Sequence, residues 1–215
     1  MTGFESLASD GLQFAYDKAN PVIEGFDATF SAGEVVAITG PSGRGKSTLL
    51  YLLGLMLAPA GGAVRLNGED VSHLSDRSRA HIRATQFGFV FQDAALDQTR
   101  SVLDNVLETA LYRGKSRASQ LKRATSLLEE FGVALRAQAK PGQISGGQAQ
   151  RIALCRALLS EPNVLLADEP TGNLDGETTA LVLAGLRSHA RSGAAVIVVT
   201  HDPDLVEHCD REISI

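Results

Sequence analysis

Short, unbroken apolar runs alternate along this chain with stretches of helical period. Glu34–Thr39 (EVVAIT) is a β-branched run that ends in a glycine-rich turn, and helical sequence follows from Lys46 to about Leu57. Phe87–Gln92 (FGFVFQ), Val164–Pro170 (VLLADEP) and Ala195–His201 (AVIVVTH) read as three further strands. Strands that are apolar throughout, rather than at every second position, are covered on both faces. Separated by helices, they predict a mainly parallel sheet. Asn67-Gly68, inside Ala63–Val71, supplies a hairpin turn and predicts a small antiparallel β subdomain. From about Ser101 to Ser160 the period is helical. Val102, Val106, Leu107, Ala110 and Leu111 fall on one helix face, and Leu121, Leu127, Leu128 and Phe131 on another. The pattern predicts one α/β domain over 1–215, with a core at about 1–92 and 162–215 and an inserted helical subdomain at about 93–161. Arg113, Lys115, Arg117, Lys122 and Arg123 form a basic cluster in that insert, expected as a solvated helix face, with anionic lipid as the alternative contact.

Composition narrows the classes. The chain has 215 residues, 44% hydrophobic and 21% charged, which excludes disordered and collagen-like architectures. Its net charge of −5 argues against a general nucleic-acid binder. Cys155 and Cys209 lie far apart without a CxxC, so neither a disulfide framework nor a zinc site is expected. The apolar stretch Leu49–Ala60 is too short to span a bilayer, which takes roughly 20 residues. The opening MTGFESLASDG lacks the basic and apolar regions of a secretory signal. Work at a membrane is therefore expected to need a second chain.

Chemistry enters at Gly40-Pro41-Ser42-Gly43-Arg44-Gly45-Lys46-Ser47, which fits GxxxxGK[ST] between an expected strand and an expected helix. Glycines let backbone N–H groups turn inward around phosphate oxygens, and the helix N-terminus adds partial positive charge. Lys46 reaches toward the β- and γ-phosphates, Ser47 offers a hydroxyl to Mg²⁺, and Thr48 follows in the helix. Asp168 stands at the C-terminal end of an apolar strand, the edge where open α/β sheets bind ligands, and is the expected Mg²⁺ partner. Glu169 beside it is the expected general base for an attacking water. His201 ends another buried strand and is expected to emerge beside the phosphates. The remaining histidines, His73, His81, His189 and His208, are expected at the surface.

These residues resemble the ATP-binding cassette (ABC) ATPases, and the similarity covers nearly the whole chain. Ile144-Ser145-Gly146-Gly147-Gln148 looks like that family's signature motif, with Ile in place of the usual Leu. The resemblance implies the family's fold and ATP and Mg²⁺ as cofactors. Two copies would pair head to tail, with Ser145 and Gly147 of one capping the γ-phosphate held by Lys46 of the other. Tyr16 resembles the aromatic residue that stacks on adenine, the alternative being a core tyrosine. Gln92 resembles the glutamine that senses Mg²⁺ and the partner subunit. Asn173-Leu174-Asp175 resembles the loop that communicates across the dimer, and His201 the switch histidine. Arg44 departs from the small residue common there and is expected to point into solvent.

Only the residues between Thr48 and Gln143 separate the two loops, which leaves no room for the long coiled coils of chromosome-maintenance relatives. Glu169–Asp175 (EPTGNLD) and Gly88–Val106 resemble the lipoprotein-releasing and macrolide-exporter group. The resemblance implies an ATP-hydrolysing subunit that drives a separate membrane permease from the cytoplasmic face by homodimer closure, with export or extrusion of lipid, lipoprotein or peptide. The alternative is a regulatory switch of the cell-division type that signals through a membrane partner without transport. A soluble P-loop kinase or GTPase would leave the Ser145–Gln148 loop without a role.

Overall fold

The computed structural model describes residues 3–17, 20–172 and 174–215. Five strands form a parallel sheet in the order β6 (Phe87–Val90), β7 (Val164–Asp168), β8 (Ala195–Val199), β3 (Val35–Thr39) and β9 (Arg211–Ser214). Alternate residues of the central strands feed two cores. Leu165, Ala167, Val196 and Val198 face one, while Leu166, Ala195, Ile197 and Val199 face the other. Burial on both faces is why these strands carry no polar alternation.

The first core is closed by α3 (Val102–Tyr112), α4 (Arg117–Glu130), α5 (Gly146–Leu158) and α6 (Gly176–Arg191). The second holds α1 (Lys46–Leu53) against an antiparallel sheet in the order β2 (Asn20–Ser31), β1 (Ser6–Asp17), β4 (Gly61–Leu66) and β5 (Glu69–Asp70). The short helices α2 (Asp76–Gln86) and α7 (Pro203–Glu207) complete the chain. Serines at 75, 101 and 116 accept hydrogen bonds from Ser78 N, Asp104 N and Ser119 N, capping α2, α3 and α4. No helix among the described residues is long and apolar enough to cross a membrane. Cys155 and Cys209 are free thiols.

Several expectations need correction. The antiparallel part is larger than Ala63–Val71, because β1 and β2 precede it. Their signal is masked by a bulge: the inward residues of β1 are Leu7, Ser9 and Leu12, and the pairing shifts between Ser9 and Leu12. The helix after the phosphate loop stops at Leu53 rather than Leu57. Gly54 N–H closes the last turn on Leu50 O, and Leu55 then takes φ 60°, which no helix continues. The strand expected to reach Gln92 ends at Val90. Leu111 is 60% and Leu121 42% exposed, so each departs from its expected buried face. Periodicity says which residues share a face, and not how far the neighbouring element extends over it.

The basic cluster is a solvated face only in part: Lys115, Arg117 and Lys122 are exposed as expected, whereas Arg113 and Arg123 are half-buried. Arg113 donates to Ala84 O (2.7 Å), Ser160 O (2.5 Å) and Thr85 O, and burial lowers its pKa. Arg123 donates to Leu159 O and Leu158 O and pairs with Glu161, while Arg117 pairs with Asp104. The guanidinium groups of Arg113 and Arg123 tie α3 and α4 to carbonyls at the C-terminal ends of α2 and α5, a task the planar five-donor fork suits. His189 also departs from the surface: its Nε2 lies 2.8 Å from Pro162 O, and burial lowers its pKa.

Where β1 bulges, Gly62 takes φ 74°, and a Cβ there would lie 2.3 Å from Gly11 O and 2.4 Å from Asp10 O. Backbone that pairs two strands cannot yield as a side chain can. Gly62→Ala is expected to destabilise the fold by about 2–4 kcal/mol, from left-handed strain plus overpacking. Gly142→Ala, with open space around the added carbon, is the near-neutral control. Denaturant midpoints of the two variants would decide it, and equal midpoints would show that the bulge tolerates a side chain.

Candidate active site

The chain leaves β3 at Thr39 and turns through Gly40–Gly45 into α1. Gly45 holds φ 88°, and a Cβ there would approach Val22 Cγ1 to 2.6 Å, so only glycine enters the helix here. No side chain caps α1. Its first N–H groups therefore face outward at the positive end of the helix dipole, ready for an anion. The Lys46 side chain arches back over the loop, donating from Nζ to Gly40 O (2.7 Å) and Pro41 O (3.0 Å). Pro41, Ser42, Gly43 and Arg44 are exposed on the rim, Arg44 as expected.

Asp168 ends β7 and is 3% exposed. Burial raises its pKa, Glu169 raises it further, and the hydroxyl of Ser47 and the charge of Lys46 oppose that. A buried carboxylate bonded to a hydroxyl is a hard-oxygen donor pair of the kind Mg²⁺ accepts. Among the described residues no cluster of three or more His, Cys, Asp or Glu offers a protein-only metal cage. Gln92 lies exposed in the turn after β6, whose Val90 pairs with Ala167 of β7, one strand over from Asp168.

Glu169 adopts φ 48°, an unusual conformation for a residue with a side chain, and its N–H donates to Val199 O at 2.9 Å. The left-handed turn folds its carboxylate back over the end of β8. There Oε1 lies 2.7 Å from His201 Nδ1 and Oε2 lies 3.2 Å from Thr200 Oγ1. The hydrogen bond and the negative charge of Glu169 raise the pKa of His201, whose side chain is 77% exposed. Thr200 was not among the residues the sequence pointed to. Its only signal is a hydroxyl at the end of an otherwise apolar strand.

Ser145 caps α5, and the cap is reciprocal: Ser145 Oγ accepts from Gln148 N (3.2 Å) while Gln148 Oε1 accepts from Ser145 N (3.0 Å). The serine hydroxyl thus keeps its own hydrogen for an outside acceptor. Ser145 and Gly146 are exposed, Gly147 is half-buried, and Ile144 packs against the first core. One chain therefore carries two solvent-accessible helix N-termini, at α1 and at α5, the kind of position that favours an anion.

Tyr16 is 68% exposed and so is not a core tyrosine. Its ring meets Phe14 edge to face, with centroids 4.9 Å apart, and its hydroxyl lies 3.2 Å from Thr48 Oγ1. Asp175 caps α6 by accepting from Thr178 N at 2.8 Å, a bond that lowers its pKa. Asn173 lies outside the described residues. A separate cleft of about 600 Å³ contains no phosphate-loop residue. Met56, Phe89, Phe91, Ala95 and Tyr112 give it an apolar lining, and Arg83, Glu108 and Arg156 supply its charge.

Comparison with known proteins gives the family and the fold. Residues 23–172 match the family model described as ABC transporter. The lipoprotein-releasing system ATP-binding protein LolD of Hyphomonas neptunium is 43% identical over 212 residues, 98% of this chain and 93% of that protein. The macrolide export ATP-binding/permease protein MacB of Brucella abortus is 44% identical over 93% of this chain but only 31% of its own length. The solved dimeric, post-hydrolysis state of the ATP-binding cassette MJ0796, bound to ADP and Pi, superposes with a TM-score of 0.91. It is 32% identical and covers 97% of this chain and 94% of its own. Matched over residues 23–172 by that family model and aligned with LolD over nearly its whole length, the chain, with a phosphate loop, an exposed helix N-terminus at α5 and a carboxylate pair at the sheet edge in this order, belongs to the ABC transporter family and is one of its ATP-binding ATPases.

Proposed function

We propose that this chain is the ATP-hydrolysing subunit of an exporter-type transporter, working as a homodimer on the inner face of a membrane beneath a separate permease. The observation that carries the reading is the pair of outward helix N-termini, at Gly45–Ser47 and at Ser145–Gly147. Either one binds a phosphate, and a terminal phosphate held between two copies satisfies both. The dimeric MJ0796 cassette and the names of the LolD and MacB relatives support the dimer and the extrusion of lipoprotein or a similar amphiphile.

In this reading Lys46 and the amides of Gly40–Ser47 hold the β- and γ-phosphates, and Tyr16 stacks on the adenine. Ser47, Asp168 and Gln92 would hold Mg²⁺, which neutralises phosphate charge when bound. Glu169 accepts a proton from water as its oxygen attacks the γ-phosphorus and the bond to ADP breaks. His201 and, from the partner copy, Ser145 and Gly147 face the developing charge. Asp175 sits at the dimer seam. The nucleotide-binding core and a helical subdomain at about 93–161 move relative to one another, and the cleft lined by Phe91 and Tyr112 receives the permease.

Vesicles carrying the cognate permease should recruit this chain and raise its ATPase rate. Tyr112→Asp, which puts a charge into an apolar docking patch, should weaken recruitment on the order of 10-fold or more, the effect of losing an aromatic anchor. The isolated variant should hydrolyse ATP normally. Sedimentation of the chain with permease vesicles measures this. Absence of recruitment would sink the permease partnership, whereas recruitment and stimulated ATPase without movement of any substrate would favour the signalling switch.

A further inference from the structure

Glu169 receives two side-chain donors of unlike kinds. His201 is mostly exposed, whereas Thr200 is fully buried at 0%. The Thr200 backbone is tied to the neighbouring strand, its N–H donating to Ile38 O at 3.2 Å. Its hydroxyl is committed in one direction. Asp202 N–H donates to Thr200 Oγ1 at 3.0 Å, so the single hydroxyl hydrogen is left for Glu169 Oε2 at 3.2 Å. Asp202 is held in turn: Oδ1 accepts from Asp204 N (3.0 Å) and Oδ2 from Thr171 Oγ1 (3.3 Å). Thr171 follows Glu169 by two positions, and Asp202 follows Thr200 by two. The loops after β7 and β8 therefore clasp each other reciprocally, each giving a threonine hydroxyl to the other's acid.

We propose that Thr200 is a positioning residue for ATP hydrolysis: its buried hydroxyl fixes the carboxylate plane of Glu169, so that one lone pair on each oxygen stays open toward the attacking water. The proposal rests on the reading of Glu169 as the general base. A β-branched residue has few χ1 choices, and this one is anchored by backbone on one side and by an amide on the other. It holds Glu169 whether or not the exposed imidazole turns away.

Thr200→Val keeps the shape and removes the hydroxyl. The turnover number is expected to fall about 10–100-fold, as for loss of one hydrogen bond to a charged group in an aligned site. KM for ATP and the affinity for a fluorescent ATP analogue should stay within about twofold, because no nucleotide contact is lost. Thr200→Ser, which restores the hydroxyl, should recover most of the rate. Thr200→Ala demands no new space and carries the same expectation if the valine variant does not fold. In a Glu169→Gln background Thr200→Val should cause no further loss. A serine variant as slow as the valine variant, or a loss that multiplies with that of Glu169→Gln, would overturn the proposal. If instead Glu169→Gln kept near wild-type turnover, the base assignment itself would fail, whatever Thr200→Val did.

Discussion

Glu169→Gln is expected to lower ATP turnover by on the order of 10²–10⁴-fold, the usual worth of a positioned general base, while ATP stays bound. The amide matches the carboxylate in shape and still offers an oxygen to Thr200 or His201, so the left-handed turn at Glu169 has no reason to change. What the amide lacks is basicity. Water attacking phosphorus must lose a proton, and without an acceptor in place the step is left to solvent. The phosphate loop is untouched, so nucleotide affinity should persist, and ATP that cannot be hydrolysed should accumulate in the closed state. Released phosphate measures the first effect. Light scattering with and without ATP measures the second, with the variant shifting from monomer to dimer when ATP is added. A variant that turned over ATP like the wild type would remove Glu169 from the mechanism. One that bound ATP and stayed monomeric would remove the sandwich.

The second large effect is expected at Ser145. Ser145→Arg should abolish ATPase activity, with a loss of about 10²-fold or more, comparable to removing a preorganised donor from a developing oxyanion. The substitution also removes a helix cap, which by itself costs about 0.5–2 kcal/mol of stability. Ser145→Asp separates the two causes. Aspartate caps α5 as well as serine does, yet it sets a negative charge where a phosphate must come. Both variants should lose hydrolysis, and only the arginine variant should melt earlier. Both should bind ATP as isolated chains, since Lys46 and its loop belong to α1 and not to α5. Retained ATPase activity in the aspartate variant would mean that no terminal phosphate meets this helix end, as the kinase or GTPase reading requires.

The site was more legible than the scaffold around it. A phosphate loop is local chemistry: Gly45, Lys46 and Ser47 act at fixed offsets from one strand end, and the backbone between them is short. Asp168 and Glu169 alone read as an ordinary turn after a strand, and they stand out because a phosphate loop lies upstream. The long hairpin of β1 and β2 stayed hidden because the bulge after Ser9 breaks its period of two. Helix α2 stayed hidden because it has no fully buried residue to mark a face. Arg113 and Arg123 looked like solvent-facing charge, since nothing in their spacing reveals which carbonyls end beside them.

The order of apolar runs, the two glycine-rich turns and the acids that follow strands determined the parallel sheet, the phosphate loop and the reaction class. Those features follow from interactions a few residues long, which sequence carries directly. Which hydroxyl steadies Glu169, which arginines brace the helices and where Tyr16 comes to rest were decided only by the tertiary structure. Each depends on strands remote in the chain being brought side by side, as β7 and β8 are, and the burial that sets those contacts is a property of the packed whole.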